Sequence, residues 1–277
     1  MKNKNSFFSG KFIIYLILSL GAIIMVIPFI WMILTSIKTF GETTQMPPII
    51  FPHIPQWKNY SEVLRLFPFG SFYLNTVIST VCKVFGQLVF CSTAAYAFAR
   101  IEFPAKNIIF LALLSILMVP SQVFLIPQYR IIQQLNLLNT LPALILPGLF
   151  SAFGTFLLRQ FFMTIPKELE EAALLDGCNH FQIYYKIMLP LIKPGLIALG
   201  ILTALWSWND LLWPLIINSS PDKLTLSAGL AFMQGQYTTN YALLMAGSIL
   251  AIWPMILLFI VLQNYFIEGI ALTGTKA

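Results

Sequence analysis

The chain has 277 residues, of which 58% are hydrophobic and only 9% charged, with a formal charge of +6. Soluble domains carry about 25% charged residues, so this chain lacks the polar groups to cover a water-facing surface and is expected to lie in a membrane. The positive balance then reads as basic residues in cytoplasmic loops, and nucleic-acid binding is excluded.

A helix needs about 20 apolar residues to cross the hydrocarbon core. The N-terminus, MKNKNSFFSGK, has the basic start of a signal peptide. The apolar run at 12–34 is longer than the roughly 7–15 residues of a signal h-region, and no small-residue cleavage site follows, so it is expected to remain as the first span. Further spans are predicted at about 72–99, 108–126, 141–163, 191–217 and 242–267 of a single transmembrane domain. None alternates with the two-residue period of a barrel, which leaves an all-α integral membrane fold of six transmembrane helices.

With the N-terminus inside, the cytoplasmic side carries Lys2, Lys4, Lys11, Arg100, Lys106, Arg159, Lys167, Lys186, Lys193 and Lys276. The outer side carries Lys38, Lys58, Arg65, Arg130 and Lys223, and Lys83 lies within a span. That bias places both termini in the cytoplasm. The outer segment 35–71 holds Pro47, Pro48, Pro52, Pro55 and Pro68 and should form little long helix. Cys82, Cys91 and Cys178 show no disulfide or zinc spacing, and His53 and His180 stand alone.

The largest inner loop, 166–190, is the odd one. Its opening, PKELEEAALLDG, reads as a short amphipathic helix with both ends specified. Pro166 suits a first helical turn, Glu168, Glu170 and Glu171 complement the positive end of the dipole, and Gly177 can take the left-handed conformation that stops the helix. Asn179 can cap a second short helix, which Pro190 would end. An anionic inner leaflet disfavours this acidic segment as an interfacial helix. A groove on a partner protein suits it better, with Ala172 and Ala173 allowing close approach and Glu171 meeting a basic or hydrogen-bonding group.

This loop, EAALLDGCNHFQIYYKIMLPLIKPG, resembles the EAA loop of ATP-binding-cassette importer permeases. Glu171, Ala172, Ala173, Asp176, Gly177, Leu189, Pro190 and Pro194 fall in its register, and Cys178 stands where many relatives have Ala. FPHIPQWKNY, AAYAFARIEFPAK, MVPSQVFLIPQY, WNDLLWPL and NYFIEGIALTGTKA are similar to the smaller permease of maltose-type carbohydrate importers. The resemblance implies a bacterial or archaeal cell-membrane protein that works with several partners. These are a second, related permease, two ATPase subunits that bind ATP and magnesium, and an extracellular sugar-binding protein. It makes Glu170, Glu171, Ala172, Ala173, Asp176, Gly177 and Pro190 the residues that couple to an ATPase. No G-x-x-x-x-G-K-[ST] run occurs, so no P-loop cofactor site is expected in this chain.

Polar groups within spans are the candidates for contact with a sugar. They are Lys83, Trp208, Asn209 and Asp210, with Asn75, Gln87 and Ser79 weaker; for Asn209 and Asp210, locking helix to helix is favoured over direct sugar contact. Trp206 and Trp213 also belong to WSWNDLLWP, and Trp213 is assigned to an aromatic belt at the outer interface. A buried lysine needs a partner or a wet cavity: Lys83 either pairs with Asp210, the one acidic residue in these spans, or faces a cavity or another subunit. Within AFMQGQYTTNY, Gln234, Gln236 and Tyr237 are assigned to contact with the binding protein, again by resemblance. The expected function is that of a sugar importer permease without an enzyme activity of its own. The alternatives are a related importer for glycerol phosphates and a self-sufficient secondary transporter, which would need an inverted repeat that is not visible.

Overall fold

The computed structural model of the chain describes residues 4–235 and 238–274. Regular structure among them is helical, apart from one isolated bridge between Gln234 and Thr239. In chain order, α1 (Lys4–Ser36) leads through α2 (Phe40–Thr44) and α3 (Lys58–Leu66) into α4 (Phe69–Arg100). Then come α5 (Lys106–Ser115), α6 (Leu125–Gln134), α7 (Leu141–Ile145) and α8 (Ala152–Thr164). The charged loop holds α9 (Glu168–Leu175), α10 (His180–Gln182), a π turn (Ile183–Met188) and α11 (Leu189–Leu191). The order ends with α12 (Lys193–Trp208), α13 (Leu212–Ile217), α14 (Leu226–Phe232) and α15 (Tyr241–Gly274).

Among the described residues, three helical stretches are long and apolar enough to cross a membrane: Ile14–Ser36, Phe69–Arg100 and Tyr241–Val261. They coincide with the expected first, second and sixth spans. The other three are not continuous helices. Each becomes a span only as a bent pair: Lys106–Met118 with Ser121–Gln134, Leu141–Gly148 with Ala152–Thr164, and His180–Leu191 with Lys193–Trp208, bent by 102°, 42° and 77°.

The first two breaks have a local cause, and so does the early end of the fifth run. Val119 precedes Pro120 and is pushed to φ −96°, ψ 128°, outside the helical region. Pro147 sits in a 3₁₀ turn, after which Ser151 turns extended and its hydroxyl caps α8 by accepting from Gly154 N–H at 3.2 Å. The expected span 191–217 starts late, after Ile192, and stops early, at Trp208. The Asn209 amide donates back to the Leu205 carbonyl at 2.8 Å, an alternative to continuing the helix.

The chain divides into two compact units, Met1–Pro68 with Leu230–Trp253 and Phe69–Gly229 with Pro254–Ala277. In the first unit, the proline-rich segment after α1 holds only short helices. Buried Asn59 fastens it by donating to the Ser36 and Lys38 carbonyls at 2.8 and 2.9 Å. The Lys38 ammonium lies over the Trp31 ring, 4.3 Å from its centroid, and donates to the Ile49 carbonyl at 2.5 Å. Burial pushes its pKa down. A capping box joins Thr39 and Glu42 at the start of α2.

In the second unit α4 is the central post, with α8 and α12 packed along it. Small residues set the spacing. A Cβ on Gly86 would meet Leu149 Cδ2 at 2.5 Å, and one on Gly195 would meet the Phe161 ring at 2.6 Å. One apolar cluster, including Cys91, Tyr96, Phe162, Ala173, Tyr184, Met188 and Leu199, binds the charged loop to α4, α8 and α12. A second, with Ile132, Leu144, Trp213 and Ile217, joins α6, α7 and α13.

Candidate docking helix and intramembrane polar cluster

The charged loop is held by caps at every change of direction. α9 begins at Glu168, two residues after Pro166, with Lys167 as its N-cap, so the proline precedes the helix instead of opening it. Three carboxylates still occupy the first turn, where the dipole favours them. The helix closes with Gly177 at φ 82°. Gly177 N–H donates to Leu174 O and Cys178 N–H to Ala173 O, both at 3.0 Å, the paired bonds of a Schellman motif. Asn179 and Gln182 then form a reciprocal capping box with both bonds at 2.9 Å.

Pro190 does not end this second helix. It lies in α11, directly after the π turn in which Leu189 N–H reaches the Tyr184 carbonyl five residues back. A widened turn accommodates a residue that has no N–H to give. The chain breaks two residues later, at Ile192. The π turn also aims Tyr184 inward, where its hydroxyl lies 2.7 Å from Ser92 Oγ.

One face of α9 belongs to the chain itself. Glu170 and Ala173 are buried, 8% and 6% exposed, so neither lies on an outward docking surface as expected. Glu170 Oε1 accepts from Tyr96 OH at 3.0 Å, and Oε2 lies 3.9 Å from Arg100 Nε. His180 Nδ1 is 4.0 Å from Oε1. The other face is bare: Glu171, Ala172, Asp176 and Gly177 are exposed, with Leu174 and Leu175 beside them at 45% and 89% exposure. Pro190 is exposed as well.

The polar residues of the spans fall into separate groups. Lys83 Nζ meets Asp210 Oδ2 at 3.4 Å, and its aliphatic stem packs on Gly148. Gln87, one turn further along α4, donates to the Gly148 carbonyl and accepts from Thr203 Oγ1, each at 2.9 Å. Thr80 and Ser207 are joined at 3.1 Å. Asn75, expected to face a cavity, instead donates to the Asp222 and Leu224 carbonyls at 2.9 and 3.0 Å and fastens the segment after α13. Trp208 is buried, edge-on to Tyr73, and its carbonyl accepts from Ser227 Oγ at 2.9 Å. Asn209 is exposed.

Trp213 is not part of an interfacial belt. It is 7% exposed in the second core cluster, and its indole N–H is satisfied by the Ala143 carbonyl at 2.9 Å. Gln234 is exposed at its isolated bridge, while Gln236 and Tyr237 lie outside the described residues. Tyr96 and Arg100 were not singled out by the sequence. Their spacing of four residues at the end of an apolar helix, one turn apart on one face, is the signal that could have marked them.

The sequence pattern of the binding-protein-dependent transport system inner membrane component matches residues 87–271. The chain belongs to this family. It is a multi-pass membrane permease of an ATP-binding-cassette importer, a transport subunit of a larger system. The permease is 38% identical over 260 residues to the arabinooligosaccharides transport system permease protein AraQ of Halalkalibacterium halodurans, covering 92% of each chain. It is 31% identical to the sn-glycerol-3-phosphate transport system permease protein UgpE of Yersinia pestis, covering 92% of this chain and 94% of that one. In fold, the permease is similar to a chain of a bacterial transporter involved in import of the acidic polysaccharide alginate. The TM-score is 0.83 at 24% identity, over 96% of this chain and 99% of that one. Membership of the family removes the secondary-transporter alternative.

Proposed function

We propose that this permease imports oligosaccharides and that α9 is the helix an ATPase subunit grips. The observation that carries the reading is the division of α9. Its inner face is built into the core of the second unit, and its outer face presents Glu171, Ala172, Leu175 and Asp176 with none of the described residues over them. A capped helix with a bare acidic and apolar face is suited to a groove with basic walls. In this reading both termini and the charged loop are cytoplasmic. Two ATPase subunits hold ATP and magnesium, since this chain has no P-loop run. A second, homologous permease completes the channel, and an extracellular binding protein delivers the sugar.

Similarity to AraQ at 38% identity supports an oligosaccharide as cargo, and similarity to UgpE at 31% supports glycerol phosphate as the second reading. Uptake into proteoliposomes containing the complete transporter and its binding protein separates them. Labelled arabino-oligosaccharide should accumulate with ATP, whereas accumulation of glycerol phosphate alone would favour the second reading. For the docking helix, Glu171→Lys or Gly177→Pro should uncouple hydrolysis from uptake or release the ATPase subunits while the spans stay folded. A complex with either change that retains its ATPases and transports normally would sink the assignment.

A further inference from the structure

Glu170 is the one acidic residue of α9 that is buried. Its carboxylate stands before two donors on one face of α4, four residues apart. Tyr96 OH is bonded to Oε1 at 3.0 Å, and Arg100 Nε stops 3.9 Å from Oε2. That Nε is buried and has no hydrogen-bond partner among the described residues. The same guanidinium is otherwise firmly placed, because Nη2 donates to the carbonyls of Phe162, at 2.6 Å, and Ile165, where α8 ends. A bare buried N–H beside a carboxylate about 1 Å out of reach is a bond waiting for a small displacement. His180 Nδ1, at 4.0 Å, is the other titratable group facing this carboxylate.

We propose that Glu170 is a positioning residue that passes movement of α9 into α4 and α8, by exchanging its bond to Tyr96 for a charge-assisted bond to Arg100 Nε. The inference rests on the reading of α9 as the docking helix. Ala173, Tyr184 and Met188 hold the loop in the apolar cluster, so a pull on the outer face tilts α9 about that anchor and slides Glu170 along α4. In the Tyr96-bonded state Arg100 hydrogen-bonds only the last carbonyls of α8 and meets the carboxylate only as a 3.9 Å ion pair. In the Arg100-bonded state the carboxylate, α4 and the end of α8 are joined through one guanidinium. Two discrete arrangements of one carboxylate give the loop a two-state element that both the ATPase and the spans can bias.

The test uses the complete transporter in lipid nanodiscs with ATPase subunits, second permease and binding protein. Glu170→Gln keeps an oxygen for Tyr96 but removes the charge that Arg100 would attract. The ATPases should remain bound, and the stimulation of hydrolysis by loaded binding protein should fall by about fivefold or more. Tyr96→Phe removes the resting bond and should raise hydrolysis without binding protein by a similar factor, about fivefold. The double variant should behave as Glu170→Gln alone. Normal stimulation in Glu170→Gln, unaltered unstimulated hydrolysis in Tyr96→Phe, or effects that simply add would each overturn the proposal. If Glu170→Gln does not assemble, Tyr96→Phe alone decides. The docking reading fails separately, when Glu171→Lys leaves the ATPases bound and coupled whatever the Glu170 variants do.

Discussion

Lys83 on α4 and Asp210 in the break after α12 form an ion pair, Nζ to Oδ2, at 3.4 Å. Their side chains are 10% and 28% exposed, so the lysine is nearly enclosed while the aspartate keeps some access. The pair ties the central helix to the point where the fifth predicted span is interrupted. It also explains how a cation is tolerated near the middle of an apolar helix.

Removing one partner leaves the other charge desolvated. Lys83→Met and Asp210→Asn should each lower stability by about 1–3 kcal/mol, less than a fully enclosed pair would lose. The double variant should recover part of that loss. Thermal unfolding of the purified permease in detergent measures the cycle. Strictly additive losses would mean that the contact carries no coupling.

Two glycines of α12 make opposite predictions. A Cβ on Gly195 would sit 2.6 Å from the Phe161 ring, so Gly195→Ala should cost about 1–3 kcal/mol through overpacking. A Cβ on Gly200 meets only Val84 Cγ1 at 3.8 Å, an ordinary contact. Gly200→Ala should therefore be neutral or add up to about 1 kcal/mol from helix propensity. Melting temperatures of the two variants, measured side by side, check the contrast.

Gly177 isolates a backbone effect. At φ 82° nothing lies within 4 Å of an added Cβ, so Gly177→Ala has strain without a clash. The cost should be about 1–2 kcal/mol, and Gly177→Asn should recover part of it. Hydrogen exchange across residues 168–182 should rise in the alanine variant while α4 stays protected. Unchanged exchange in the loop would show that the Schellman closure is not needed there.

Glu42 predicts a pH response outside the membrane. Its pKa is lowered by the Thr39 N–H first and the His53 N–H second, which donate to the carboxylate at 2.8 and 2.9 Å. A depressed carboxylate contributes its full stability above the ordinary glutamate range and loses it as pH falls through the lowered value. Proteolytic nicking of the segment 39–53 should thus increase only below about pH 4. Glu42→Gln should be nicked readily at neutral pH and show no such step. A step that persists in Glu42→Gln would assign it to another group.

Composition alone marked the membrane, and the lengths of the apolar runs located α1, α4 and the start of α15. The same counting failed at 108–126 and 191–217, because an apolar window does not register a bend. The break at 119 and the early stop of the fifth run come from single residues, Pro120 and Asn209, whose backbone preferences a hydropathy average dilutes; the 77° bend itself falls at Ile192. Gly177 and Asn179 were legible because caps act locally. Glu170 and Trp213 were misplaced for the opposite reason. Which side of a short helix faces inward depends on Tyr96, Arg100 and Ala143, which are distant in sequence.

The π turn at Ile183–Met188 has a consequence for the loop's length. Helix at 3.6 residues per turn rotates about 100° per residue, so the wider turn stores one residue of slack without opening a bulge. Deleting a residue there would let an ordinary turn close, yet would swing Tyr184 off Ser92 and both Ile183 and Tyr184 out of the apolar cluster. The loop's phase relative to α4 is thus set by how many residues it contains, and a length change would misalign α9 even with its every side chain intact.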